Sequence, residues 1–554
     1  MRISKKLFRN PHQQPLPPQG KNIRWLSIVG FLFILFVFNC CGEANTNAGK
    51  NETQGTINPA VPDTTINPDS AVRDSDSVLV MLRRSQKIYT GDFDTMLKRR
   101  IVRVLVPYSR TLFFNDKGKE HGITADNFRE FEDFLNQKYK KQLHNIPFTV
   151  AFIPTPRDRL YSNVIKGLGD IAAGNLTATE ERLQQVDFVA PKEQGSVREI
   201  VLNRKQDAPV NTAEQLSGKT VYVRKSSSYF ESLQALNATL SAKSEKPVNI
   251  NFMPEELEDE DLMEMLDAGI IPLVVVDDWM AKMWAQILPN IRLNEAFINS
   301  GGYIGCAFRK NSPVLTAELK DFYYRYEKKL ASMPYRLKKY YQNVKELQDP
   351  TKSDNAKHFR EIVKLFEKYG KQYDFDPLML AAQGFQESKL NQNQRSAAGA
   401  IGVMQVMPKT GRAMKVGDIT ITEPNIHAGT KYMNTIITTY FHDAHFDNFN
   451  KSLFAFASYN AGPNRIEGLR KLAANYGLNP DVWLNNVEIV ASEKIGLETT
   501  TYVRNIVKYY YSYKLMADLS EKERKKKKSV DLCALTLLLI LVVNASVHFV
   551  IERL

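Results

Sequence analysis

The sequence predicts an α/β domain followed by a helical segment that carries an acid, and three observations support this. At 554 residues the chain is too long for one hydrophobic core and divides into two or more domains. Between Ile101 and Val276, short runs rich in β-branched residues alternate with helical stretches, the pattern of an α/β architecture. Beyond them, Pro377–Leu390 is an apolar helical stretch with a single carboxylate, Glu387, inside it.

The chain opens on a basic segment, with Arg2, Lys5, Lys6, Arg9, Lys21 and Arg24, followed by the apolar run Trp25–Phe38 and then Asn39-Cys40-Cys41-Gly42. A positive region, an apolar region and a terminal cysteine predict an export signal over 1–41. The position resembles a bacterial lipobox, which implies lipidation at Cys40 or Cys41. Neither cysteine follows the usual small residue, and an uncleaved anchor helix is the alternative. Both readings put the rest of the chain outside the cytoplasm. Residues 42–94 are rich in Asn, Thr, Asp, Pro and Ser. They bury too little apolar surface to fold and read as a disordered linker.

The net charge of +13 resembles a nucleic-acid signal, but its location argues otherwise. Residues 1–41 carry +6 and residues 521–528 carry +4, so the folded middle is nearly neutral. That excludes nucleic acid as a partner. Both basic clusters adjoin apolar runs and point to a membrane instead. The four cysteines do not form a disulfide framework. His442 and His445 share a helical face without a third ligand, so no metal and no cofactor are expected.

The α/β elements follow in order. Ile101–Pro107 is a strand, Phe128–Tyr139 a helix, Phe148–Phe152 a strand, Asp158–Lys166 a helix and Asp170–Ala173 a strand. Further strands are expected at Val197–Asn203, Thr220–Val223, Asn249–Phe252 and Pro272–Val276. Within them lie Gly167-Leu-Gly-Asp170, Thr177-Ala-Thr-Glu-Glu-Arg182, Val186-Asp-Phe-Val-Ala-Pro191, Gly218–Ser226 and Val274-Val-Val-Asp277. On these blocks the region 95–330 resembles the periplasmic solute-binding proteins of the amino-acid type. The resemblance implies a two-lobed α/β domain in which Arg182 grips a ligand carboxylate and Asp277 holds an amino group. From the residues alone, Arg182 could equally pair with Glu180 or Glu181, and Asp277 could cap the next helix. Ser226–Ser228 could open a helix whose N–H groups take an anion.

In the region 350–518, Glu387-Ser388 is followed by Ser396, then Gly399-Ala-Ile-Gly-Val-Met-Gln-Val-Met-Pro408, Ala457-Ser-Tyr-Asn-Ala-Gly462, and Glu498-Thr499 with Tyr502. A carboxylate in such an apolar helix faces a core or a cleft, and burial raises its pKa. The ordered blocks resemble the lysozyme-like (goose-type) soluble lytic transglycosylases, with Val403 and Ser458 as departures. The resemblance implies an all-α lysozyme-like domain acting on peptidoglycan. It makes Glu387 the acid that protonates the MurNAc–GlcNAc glycosidic oxygen, and then the base that takes the proton of the sugar's C6 hydroxyl as a 1,6-anhydro ring closes. It places Ser396, Gln405, Met407, Tyr459 and Asn460 at the sugars, and Glu498 behind the cleft. Together the two resemblances imply a catalytic domain governed by a first domain that binds an amino acid or wall peptide. A lysozyme-type hydrolase, and a sensor whose second domain only holds glycan, are the alternatives.

The tail, 525–554, joins Lys525–Lys528 to the apolar run Leu532–Val543 and beyond. Its length suits a second membrane anchor. Basic residues on that flank favour the cytoplasm, opposite to the export signal, so an interfacial helix or an unrelated extension stay open.

Overall fold

The computed structural model describes residues 87–331 except 145, 192–196 and 301, then 348, 350, 353–518 and 521. The signal segment with Cys40 and Cys41, the linker up to residue 86 and the tail lie outside the described residues. Order begins before the composition suggests. Asp92 caps a helix, Phe93–Arg99, that buries Phe93 and Met96, so the end of the expected linker belongs to the fold.

The first domain holds twelve strands among the described residues. They are β1 (Ile101–Val106), β2 (Phe114–Asp116), β3 (Lys119–His121), β4 (Thr149–Pro154), β5 (Ile171–Ala178) and β6 (Asp187–Val189). They continue as β7 (Arg198–Arg204), β8 (Thr220–Arg224), β9 (Asn249–Met253), β10 (Val274–Asp277), β11 (Ile291–Ser300) and β12 (Tyr303–Phe308). One five-stranded sheet has the order β4-β1-β5-β12-β6, and a second has the order β11-β7-β10-β8-β9. The chain therefore builds one lobe, crosses to the other after β6, and returns at β12. Each expected strand is present. The hairpin β2–β3 and strands β6, β11 and β12 add to them, being short or mixed in composition.

Strand β1 is buried along almost its whole length, as parallel strands covered on both faces are. It nevertheless carries Arg103, which is fully buried. Arg103 pairs with Asp170 at 2.9 Å, so the Gly167–Asp170 block is a structural staple of the first lobe. The second lobe contributes helices α1 (Ser228–Ala242) and α2 (Asp259–Ala268).

The second domain is helical, as the sequence resemblance implies. Its helices are α3 (Ser353–Tyr373), α4 (Pro377–Ser388), α5 (Pro408–Met414), α6 (Thr422–Tyr440), α7 (Asn448–Ala461), α8 (Pro463–Asn475), α9 (Glu488–Ile495) and α10 (497–518). One continuous apolar cluster runs from the second lobe, with Val276 and Trp284, into the helical domain, with Phe385, Phe454 and Tyr513. A smaller cluster joins Tyr108 and Phe114 of the first lobe to Ile489 of α9.

A junction of buried charge accompanies these contacts, and α2 lies at its centre. Glu258, at the N-cap of α2, takes Arg157 of the first lobe at 2.8 Å. Glu260 accepts from Ser109 at 2.7 Å. Lys508 of α10 lies between Glu264 at 2.6 Å and Asp261 at 2.9 Å, and is 1% exposed. Arg504, one turn earlier on α10, pairs with Glu488 of α9 at 2.5 Å.

Candidate active site

Helix α4 positions the acid. Asp376 caps it by accepting from the Leu378 N–H at 2.8 Å, and Pro377 occupies its first turn, where a missing N–H costs nothing. Residues 379–385 and Ser388 are all buried, so α4 runs through the middle of the domain. Lys389 ends it in the left-handed conformation, at φ 58°.

Near its C-terminal end α4 presents Glu387 to α10. The Tyr502 hydroxyl donates to Glu387 Oε1 at 2.5 Å, and Gln383, one turn back on α4, donates to Tyr502 Oη at 3.3 Å. Burial pushes the Glu387 carboxyl up to about 7, against a smaller lowering by the Tyr502 hydrogen bond. No carboxylate among the described residues acts on it. Glu387 is therefore half protonated near neutral pH and can both give and take a proton.

The loop between α4 and α5 is folded tightly beside it. The Ser396 Oγ accepts from the Ala400 N–H at 2.9 Å, closing a turn. Gly402, at φ 78°, has no room for a Cβ, which would lie 2.5 Å from Asn425 Nδ2. Buried Asn425 donates to Ile401 O at 2.8 Å and accepts from the Met404 N–H at 2.9 Å. Gln405 takes a positive φ of 46° without being glycine and donates to Gly402 O at 2.9 Å. Met404 is wholly buried, whereas Met407 is exposed at 36%.

Helix α7 supplies the other wall. Tyr459 donates its hydroxyl to Met404 O at 2.8 Å and packs edge-on against Tyr432. The carboxyl of Glu387 also acts on Tyr459, so the two are neighbours. Asn460 is exposed, and its Oδ1 accepts from Thr499 at 2.8 Å. Glu498 is exposed in the first turn of α10. The link to α7 thus runs through its neighbour Thr499. Glu387, Tyr459 and the 396–407 loop come together, Asn460 is tied instead to Thr499, and Glu498 stays outside these hydrogen bonds. The role of Tyr502 and Gln383 was the part missed. The spacing of Gln383 and Glu387, one turn apart on a helix, was the available signal.

Tyr502→Phe tests the pairing. The hydroxyl lowers the Glu387 pKa, so its loss raises that pKa above about 7. The acid form then persists to higher pH. The alkaline limb of the pH–rate profile moves up, and an unmoved limb would remove Tyr502 from the site.

The cleft of the first domain holds the second group of expected residues. Arg182 is buried, and its Nε, Nη1 and Nη2 all hydrogen-bond within the protein. Nε donates to Glu231 at 3.0 Å, Nη1 to Tyr161 Oη and Thr177 O at 3.2 Å each, and Nη2 to Ser226 O at 3.0 Å, with Glu231 at 2.9 Å. Its carboxylate partner is therefore Glu231 of α1, from the opposite lobe, and neither Glu180 nor Glu181. Asp277 occupies the N-cap position of helix Asp278–Trp284 without capping it. Its Oδ2 instead accepts from Asn175 of the first lobe at 2.6 Å. Burial pushes the Asp277 carboxyl up to about 8. Ser227 does cap α1, accepting from the Phe230 N–H.

Comparison with known proteins agrees with both halves. Residues 102–336 match the bacterial extracellular solute-binding proteins, family 3, and residues 364–480 match the Transglycosylase SLT domain. The chain is 29% identical over 381 residues to a protein of Desulfosudis oleivorans named membrane-bound lytic murein transglycosylase F, covering 64% of this chain and 79% of that one. A protein of the same name from Pseudomonas fluorescens strain Pf-5 is 29% identical over 435 residues, covering 74% and 84%. A solved structure titled as an ancestral arginine-binding protein bound to arginine is 22% identical, with a TM-score of 0.34, covering 44% of this chain and 97% of that one. The chain joins a domain of the family 3 extracellular solute-binding proteins to a transglycosylase SLT domain.

Proposed function

We propose that the chain is a lytic murein transglycosylase that cleaves the MurNAc–GlcNAc bond of peptidoglycan and leaves 1,6-anhydro ends. The observation that carries this is Glu387, a half-buried carboxyl raised to about 7 and acted on by no second carboxylate among the described residues. Glycosidases that use water as nucleophile, or form a covalent intermediate, hold two carboxyls at a set separation. A lone acid–base suits a reaction whose nucleophile is already on the substrate. Glu387 protonates the glycosidic oxygen, and the C1–O bond breaks. The carboxylate then takes the proton of the C6 hydroxyl, whose oxygen bonds to C1. The attack is intramolecular, so proximity supplies much of the rate. Tyr502 steadies the carboxylate between the two transfers.

The names of the relatives support a place in the cell envelope, for which the export signal and Cys40 or Cys41 would supply the anchor. Among the described residues, no helix is long and apolar enough to cross a membrane. The first domain, in this reading, binds a small wall-derived ligand and adjusts the attached enzyme.

Mass spectrometry of products from purified cell wall tests the chemistry. Anhydro ends are expected. Reducing ends would make the protein a lysozyme-type hydrolase, and absence of any product would leave a glycan-binding sensor.

A further inference from the structure

The cleft beside Glu387 has open lips. Apart from their own chain neighbours, no heavy atom lies within 4 Å of where a Cβ would stand on Gly399, in the 396–407 loop, or on Gly462, at the end of α7. Backbone without a Cβ admits a close neighbour, and the protein itself supplies none at either place. The aromatic residue expected at the sugars, Tyr459, is already engaged. Its hydroxyl donates to Met404 O at 2.8 Å, and its ring stands edge-on to Tyr432 with centroids 5.5 Å apart. Tyr459 therefore braces the loop through its backbone and has little left to offer a substrate.

Tyr432 is the next ring along. It belongs to α6, is half-buried, and is less enclosed than Tyr459. Among the described residues no group hydrogen-bonds its hydroxyl. Burial raises the pKa of that hydroxyl, so it stays a neutral donor at working pH. Tyr440 continues the row. It stands eight residues further along α6 and is also half-buried. That spacing returns to the same helix face, about 12 Å along the axis from a rise of about 1.5 Å per residue. The Tyr440 hydroxyl acts on that of Tyr432, so the two side chains lie together. Because the Glu387 carboxyl acts on Tyr459, Tyr459, Tyr432 and Tyr440 form a row that leads away from the acid.

We propose that Tyr432 and Tyr440 form a platform for the glycan strand beyond the sugars that react, so that the enzyme acts on long strands in preference to short ones. This rests on the reading of the chain as a murein transglycosylase, and it names extended glycan as the substrate class. A pyranose ring carries C–H groups on its faces and hydroxyls at its rim. The C–H face suits the electron-rich face of a tyrosine ring, and the rim suits a hydroxyl donor. Tyr432 takes the sugar next after the reacting pair, and a strand must extend further to meet Tyr440. Contacts so far from the breaking bond hold substrate and transition state alike, so they act on KM rather than on kcat.

Kinetics on the full chain test it, with intact cell wall and with peptide-free glycan sorted into tetrasaccharides and long strands. The wild type shows the higher kcat/KM on long strands. Tyr432→Leu and Tyr440→Leu each raise KM on long strands about tenfold with kcat held, and raise it less on the tetrasaccharide. Tyr432→Phe keeps the ring and with it most of the preference for length. Tyr440 lies at the end of α6, so Tyr440→Leu folds even if Tyr432→Leu does not. A folded Leu variant that loses the same factor on both fractions, or loses nothing on either, overturns the platform and leaves its tyrosine a packing residue. A wild type that digests intact wall without preferring the long fraction overturns the platform while the transglycosylase reading stands. No product from intact wall overturns that reading itself, and the platform with it.

Discussion

Glu387→Gln lowers glycan turnover by about 10²–10⁴-fold or more while the protein folds normally. The amide keeps the size of the side chain and can still accept the Tyr502 hydrogen bond, but it transfers no proton. Full turnover in this variant, measured by release of soluble fragments, would exclude Glu387 as the acid. The same change affects stability in a pH-dependent way. The Glu387 pKa is near 4.5 when unfolded and about 7 when folded. The folded state therefore holds a proton that the unfolded chain has already lost, and wild-type stability falls as pH rises from about 4.5 to 7. Above that window the loss is complete, at about 3 kcal/mol from 1.36 kcal/mol per unit. The Gln variant escapes it and unfolds later than wild type at pH 8, and with a smaller advantage at pH 5. An enzyme that keeps a poorly solvated acid half-ionised sacrifices stability for chemistry.

Lys508→Ala has the opposite character, with a large loss of stability and no change in the reacting groups. Removing the ammonium leaves the buried pair Asp261 and Glu264 with Arg110 as their remaining shared cation. Breaking a buried pair by deleting one partner costs about 3–5 kcal/mol. Urea unfolding at pH 7 measures it as a lower midpoint with an unchanged slope. A midpoint within error of wild type for Lys508→Ala would mean the junction is solvated.

The sequence revealed those parts of the fold that local pattern determines. The β-branched run Ile101–Val106 and the apolar helix around Glu387 each declare their structure within a few residues. Contacts made across long separations were hidden. Tyr502 lies 115 positions from Glu387 and Arg182 lies 49 from Glu231. Residue type alone could suggest a partner for neither. Helix α2 is the strongest case. Its sequence, Asp259-Glu-Asp-Leu-Met-Glu-Met-Leu-Asp-Ala268, has the acid content of a solvated helix, yet every residue of it is buried. The cations that make this tolerable, Arg110, Arg224 and Lys508, come from three separate segments. No short window holds both sides of such a balance. The site suffered less, since the Ser396–Met407 loop is built by hydrogen bonds among near neighbours.

Helix α10 has two working faces, and this bears on how the protein comes apart. Tyr502, Tyr509 and Tyr513 lie along one stripe packed into the helical domain, and Arg504 and Lys508 lie along another directed at α9 and α2. Neither domain can release this helix without exposing apolar rings or stranding buried carboxylates. The element boundary between the domains is therefore not a boundary of cooperativity. The two halves should melt in one calorimetric transition, and amides of α9 and α10 should exchange as slowly as those of β10. A protease that needs local opening would then find no early cut between 497 and 518, and the pair would persist or be degraded together.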